Sequence, residues 1–409
     1  MNSRFPLSRV VPKTKKASRW TLSGVVVALI GFSVAGSAFR TLRFEVAGLS
    51  VHPCVLLSGL LLFSIGLKRL RMFPAPLASA MLLFLVAFTT AGLLDEQWYL
   101  SLPIKLASFM VVAVATSLAV TSRQDLTMGI VGFALGVLVI AIFGTLIGDI
   151  GIETFNPLAQ GEGNKNTYSL FALPAIAWIT LLVLDGRPRS TVFTVFLWLA
   201  AAVITLPIFL SANRSGWLGV ATVALLLLVG QRQRFKTALV VVGIAVLLYV
   251  GVNELDTGVF TRRLAQTLDA YSSDNLRVAI FIECFNIGLE NPLTGMGMVS
   301  ICYELARRLS PFLAVENDYV GPHNALTFLF GAGGLMLAIP ALYLAITVWR
   351  QGKRSYGKSS MSPLRLMFLL WVVRAAFTDE ALYAPAFAMA FGFAIAERRL
   401  AAQEEQEAR

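Results

Sequence analysis

The chain has 409 residues, of which 57% are hydrophobic and only 14% charged, with a mean hydropathy of +0.73. A soluble domain of this size needs far less apolar surface for its core, so the composition excludes a water-soluble protein and points to an all-α, polytopic helical membrane protein. The basic excess, 34 Lys and Arg against 23 Asp and Glu, would suggest nucleic acid in a soluble chain; in a membrane chain its distribution is what informs.

Apolar runs long enough to cross the hydrocarbon core recur at 20–39, 51–67, 75–94, 103–121, 126–148, 167–184, 190–210, 215–230, 237–253, 323–349, 362–378 and 381–397. They predict twelve spans in a single membrane domain, 1–409, with a basic cytoplasmic N-terminus (1–19) and a cytoplasmic tail (398–409). With the N-terminus inside, alternate connections hold 23 of the 34 basic residues but only 6 of the 23 acidic ones, leaving +17 inside and −6 outside. One helix more or fewer would invert everything downstream and spoil this sorting. The first run follows a basic segment too long for a signal n-region and lacks a small-residue cleavage site, so it is expected to be retained.

Two connections are long. Residues 149–166 form an outside loop ending in Asn164, Lys165 and Asn166, where Asn166 or Thr167 can cap the sixth helix. Residues 254–322 form a large extracytoplasmic loop. Within it, Ser273 or Asp274 can cap a helix whose apolar positions Leu276, Ala279, Ile280, Cys284 and Ile287 recur at spacings of three and four. That helix ends near Gly288, with Arg277 in its first turn; a second short helix is expected over 299–309. Cys284 and Cys302 both fall outside, as a bridge or as two buried thiols.

The chemistry-bearing groups are few. Arg214 opens the eighth span within Ser211–Ala212–Asn213–Arg214–Ser215–Gly216–Trp217, either as an anchor on lipid phosphate or as a binding group for an anion, whose oxygens suit its planar fork of donors. Arg277 is either an ordinary surface charge or a second such group. His323, between Pro322 and Asn324 at the start of the tenth span, is one of only two histidines. Histidine alone has an unperturbed pKa close to neutrality, so an imidazole at this boundary is a candidate proton acceptor, or else an incidental helix-start residue. Arg374, Asp379 and Glu380 cluster near the outer end of the eleventh and twelfth spans, where an ion pair is the structural expectation. His52, before Pro53, reads as structural. No His and Cys spacing for zinc, serine triad, Walker loop or paired aspartates is evident.

Taken together, Asn164–Lys165–Asn166, Asn213–Arg214–Ser215–Gly216–Trp217–Leu218, Arg277 followed by Asn291–Pro292–Leu293–Thr294–Gly295–Met296–Gly297, and Pro322–His323–Asn324 leading to Gly331 and Gly334–Leu335 resemble the O-antigen ligase and polymerase family. The resemblance covers most of the chain, and its specificity lies in the order and sidedness of these short motifs. It implies a bacterial inner-membrane glycosyltransferase working on the periplasmic face. A glycan on undecaprenyl pyrophosphate would pass to a hydroxyl of an acceptor glycolipid such as lipid A-core, without metal or other cofactor and with inversion. By the same resemblance, Arg214 and Arg277 would hold the pyrophosphate and His323 would take the acceptor proton. Asn324, Lys165, Asn166 and Asp379 would bind substrate, with Glu380 competing for the acidic role. The nearest rival is a polymerase of the same superfamily, which extends a lipid-linked repeat. A transporter or flippase for a polyprenyl-linked glycan would instead place charges through the membrane depth.

Overall fold

In lipid only a helix or a closed barrel satisfies every backbone N–H and C=O, and long runs of Leu, Val, Ala and Phe accordingly form helices. The computed structural model describes residues 21–38, 44–46, 49–65, 67–95, 101–147, 165–184, 190–210, 214–230, 274–310, 320–352 and 362–407. In chain order they form α1 (Leu22–Ala38), β1 (Phe44–Val46), β2 (Leu49–Val51), α2 (Pro53–Ile65), α3 (Leu67–Leu70), α4 (Ala75–Leu93), α5 (Ser101–Ala119), α6 (Arg123–Ile147), α7 (Lys165–Leu184), α8 (Thr191–Leu210), α9 (Arg214–Gly230), α10 (Asp274–Glu290), α11 (Ser300–Leu309), α12 (Ala325–Gln351), α13 (Pro363–Ala375), a 3-10 turn (Asp379–Leu382) and α14 (Pro385–Glu407). Among the described residues the one addition to the expected all-α fold is the antiparallel hairpin β1–β2, with Phe44 opposite Val51 and Val46 opposite Leu49.

Every expected apolar run coincides with a helix except 237–253, which lies outside the described residues. Among the described residues five helices are long and apolar enough to cross a membrane: α4, α5, α6, α8 and α12. Their outward faces carry large apolar side chains, and Phe63 of α2 is 90% exposed. Apolar surface on this scale is stable only against lipid, so the chain is a multi-pass membrane protein.

The core is closed by small residues and buried aromatics. Gly31, Gly132 and Gly136 let α1 and α6 touch backbone to backbone: a Cβ on Gly132 would lie 2.2 Å from the carbonyl oxygen of Ala28. Trp178 of α7 packs edge-on to Phe393 of α14 and donates to the Ala390 carbonyl. Two carbonyls flanking Pro207 in α8, those of Ile204 and Ile208, accept from the Tyr168 hydroxyl and the Trp217 indole N–H.

Polar contacts gather the helix ends as the charge sorting expects. At one end Asp125 accepts from Thr21 and Thr121 hydroxyls, both at 2.6 Å, and Arg123 pairs with Glu397 at 2.6 Å and Glu404 at 2.9 Å. Arg399 donates to the Val120 carbonyl and Arg398 to Gln351 at the same end. These bonds explain why α14 continues to Glu407 and does not end at 397.

The long helix α12 is broken. Gly334 has φ +56 and ψ −149, which interrupts the i→i−4 ladder in the middle of a membrane-length helix. The segment 292–297 fills the break: Met296 and Gly297 N–H donate to the carbonyls of Gly331 and Ala332 at 3.0 and 2.9 Å. In return Leu335 and Met336 N–H donate to the carbonyls of Pro292 and Leu293 at 2.7 and 3.0 Å. Every group in this exchange would be costly to leave unpaired away from water.

Candidate active site

The approach to α12 is held at two points. Val320 N–H donates to the Cys302 carbonyl at 3.1 Å, and the Asn324 side chain accepts from Leu326 N–H at 2.9 Å and Thr327 N–H at 3.1 Å. Asparagine suits this cap because its short carbonyl reaches the otherwise unsatisfied N–H groups of the first turn. Its amide Nδ2 donates to the Ala376 carbonyl at 3.0 Å, tying the start of α12 to the end of α13. Between these anchors His323 is exposed and has φ +48, a left-handed conformation uncommon outside glycine. Its ring lies over Gly321, whose missing Cβ would stand 3.7 Å from Cε1.

A second tie brings α9 to the same place. Arg374, in the last turn of α13, is fully buried and donates from Nη1 to Ser215 Oγ at 2.8 Å. The first turn of α9, with Arg214 as its first residue, therefore stands beside the end of α13, as does the start of α12. The side chains of Arg214, Asp379 and Glu380 lie outside the described residues, and with them the expected Arg374 ion pair; the backbone of Asp379 opens the 3-10 turn that follows α13. Lys165 and Asn166 form the first turn of α7, which packs on α9 through Leu173 and Gly219; their side chains also lie outside the described residues.

Arg277 is exposed in the first turn of α10. The expected boundaries of α10 and α11 agree with the structure to within two residues, and α10 docks on α12, where Gly288 meets Phe330 and the Cys284 carbonyl meets Gly331. Cys284 and Cys302 are both buried and are not bridged to each other. Arg308 fastens α11 to α10 through Glu290 at 2.5 Å and Glu283 at 3.3 Å, and binds Glu304 at 2.7 Å. Hydrogen bonds from Arg307, with those from Arg308, hold the Glu304 carboxyl at about 2, and hydrogen bonds to Glu290 and then to Glu304 push Arg308 further up. Much of this network is exposed, so its contribution is geometric more than energetic.

Below these helix starts lies an apolar cleft that is open along part of its length; its empty space, the open part included, is about 760 Å³. Trp371, Leu382 and Leu106 line it near the end shared with Asn324 and Arg374, and Val348, Leu364 and Ile395 line it toward the other. Lys105, next to Leu106 in α5, stands 5.3 Å over the Tyr383 ring at the upper rim. Among the described residues no group of three His, Cys, Asp or Glu side chains is arranged to hold a metal ion.

The structure thus joins His323, Asn324 and the first turn of α9 around α13, and puts Arg277 on a helix docked against α12. Sequence reasoning missed Asp95, a buried carboxylate bound to the start of α11, and Lys105 at the cleft. Both lie at an outside helix end in the charge sorting, which was the signal available. No curated protein matches the chain. Residues 197–342, which include Arg214, Arg277, the 291–297 segment, His323, Asn324 and the break in α12, match the family model for O-antigen ligase. Over that stretch, just over a third of the chain, the sequence is similar to the O-antigen ligase family.

Proposed function

We propose that the chain is a multi-pass bacterial inner-membrane glycosyltransferase of the O-antigen ligase type. It has twelve spans, cytoplasmic termini and an active site on the periplasmic face. The observation that carries this reading is the pair of ties Ser215–Arg374 and Asn324–Ala376, which brings an arginine-bearing helix start and a histidine-bearing one to the same end of α13, above an apolar cleft. The cleft suits the isoprenoid chain of undecaprenyl pyrophosphate, which would leave the headgroup among cations at the helix starts.

In the reaction, an acceptor hydroxyl on a glycolipid such as lipid A-core attacks the anomeric carbon of the donor glycan. The new C–O bond forms as the bond from carbon to the pyrophosphate oxygen breaks, with inversion. His323 takes the hydroxyl proton, and the pyrophosphate leaves carrying the bond's electron pair. Arg214 and Arg277 neutralise that leaving group; Asn324, Lys165, Asn166 and Asp379 contact the substrates. The donor is already activated, so the protein needs to position, neutralise and deprotonate, and no cofactor enters.

The test uses purified protein, lipid-linked donor and acceptor glycolipid, with no nucleotide added. His323→Ala is expected to lower transfer by about a hundredfold or more while donor binding survives, the usual scale for losing a general base. Arg214→Ala and Arg277→Ala are expected to weaken donor binding. A fully active His323→Ala variant removes His323 from the mechanism. Elongation of a lipid-linked repeat in place of acceptor transfer makes the chain a polymerase.

A further inference from the structure

Asp95 follows the last turn of α4 and is only 5% exposed. Its Oδ2 accepts from Val299 N–H at 2.6 Å and Ser300 N–H at 3.2 Å, and its Oδ1 accepts from Ser300 Oγ at 2.5 Å. These bonds to one carboxylate close the first turn of α11 and fix 297–300 against the end of α4. Gly297 has φ +105, and a Cβ there would stand 2.5 Å from Asp95 Cγ, so the glycine is what lets the carboxylate approach.

The fixed segment continues backward into 292–297, which fills the break in α12. A Cβ on Gly295, at φ +67, would fall 2.3 Å from the Ala332 carbonyl carbon, and one on Gly334 would fall 2.7 Å from Leu293. The half-helix above the break is short, from Ala325 to Gly333, and at its N-terminus stand Asn324 and His323. Hydrogen bonds hold it through Asn324 on Ala376, Val320 on Cys302 and the 292–297 segment at its base, and α10 packs on it at Phe330 and Gly331. All the described residues with positive φ, namely His323, Gly295, Gly297 and Gly334, belong to this one assembly. Backbone conformations of this kind persist only where the surroundings over-determine them.

We propose that Asp95 is a positioning residue for His323. By fixing 297–300 it keeps the 292–297 segment in the break of α12, and this sets the pitch of the half-helix that presents the imidazole. The activity arm of the test rests on His323 being the proton acceptor; the structural arm does not.

Full-length protein in detergent or nanodiscs serves for both arms. In the structural arm, Asp95→Ala is expected to speed amide hydrogen exchange about tenfold or more at 292–300 and 331–336, with α6 and α7 unchanged, as a local opening requires. In the activity arm, its turnover is expected to fall by up to about a hundredfold at unchanged donor Kd, the scale of an ångström-sized misplacement. Asp95→Asn keeps a carbonyl acceptor in the same place and is expected to retain turnover within about threefold of wild type, whereas a residue that itself took the proton would be lost equally in both variants. Ser300→Ala removes one hydrogen bond, retains the fold should Asp95→Ala lose it, and is expected to show the same local opening in smaller degree. Wild-type exchange at 331–336 in both Asp95→Ala and Ser300→Ala overturns the proposal, as does an Asp95→Asn variant as inactive as Asp95→Ala. If the wild-type protein transfers no glycan, the proposed function fails by itself and hydrogen exchange still decides the role of Asp95.

Discussion

Asn324 does two separable things with one amide. Its oxygen caps α12 and its nitrogen holds the end of α13. Asn324→Asp keeps the acceptor, in a position a helix N-terminus favours, and loses the donor. Asn324→Ala loses both. The expected outcome is a thermal midpoint near wild type for the Asp variant and a loss of about 1 kcal/mol or more for the Ala variant, with transfer lowered in both. Unfolding curves beside a transfer assay check it, and full activity in Asn324→Asp would show that the tie to Ala376 is not needed. The residue type and its place before an apolar run were legible in the sequence. Its bond to Ala376, 52 positions away, was not, because local pattern carries no information about which helix end will stand opposite.

At the scale of elements, packing depends on where side chains are absent. Gly132 and Gly136 recur along one face of α6, where the backbone of α1 fills the space, and Gly129 a turn away meets the Val27 and Phe393 side chains. Gly132→Leu would drive the two helices apart, and overpacking of this kind costs about 1–3 kcal/mol or more. The variant is expected to unfold at lower temperature in detergent while Gly59→Leu, whose Cβ position has nothing within 4 Å, stays near wild type. Equal midpoints for the two would mean that α1 and α6 do not pack this tightly in lipid. Among the described residues the positions of the expected spans were legible because apolar length fixes them, and α10 and α11 were legible from spacing and a cap. The break in α12 was not: Gly331, Gly333 and Gly334 read as small residues for close packing, and only the segment from 292 to 297, docked alongside, turns Gly334 into a joint.

At the scale of the whole molecule, the cleft among α4, α5, α12, α13 and α14 is the feature that no single element contains. Ala345 lines it, and Ala345→Trp would fill the space in which the isoprenoid chain of the donor is proposed to lie. Affinity for the lipid-linked donor is expected to fall about tenfold or more, equivalent to roughly 1.4 kcal/mol, while the water-soluble head of the donor supplied alone binds as before. Titration of both ligands checks it, and undiminished binding of the lipid-linked donor would place its chain elsewhere.

The sequence by itself determined that this is a helical membrane protein, where the described helices run and which residue types could handle an anion and a proton. These follow from local quantities: apolar length, charge placement and the chemistry of single side chains. The tertiary structure decided which helix ends meet. It set Ser215 on Arg374 and Asn324 on Ala376, drew Asp95 under the start of α11, and opened a cleft beneath them. Contacts between residues dozens to hundreds of positions apart depend on how helix faces complement one another in three dimensions, and that complementarity has no period along the chain.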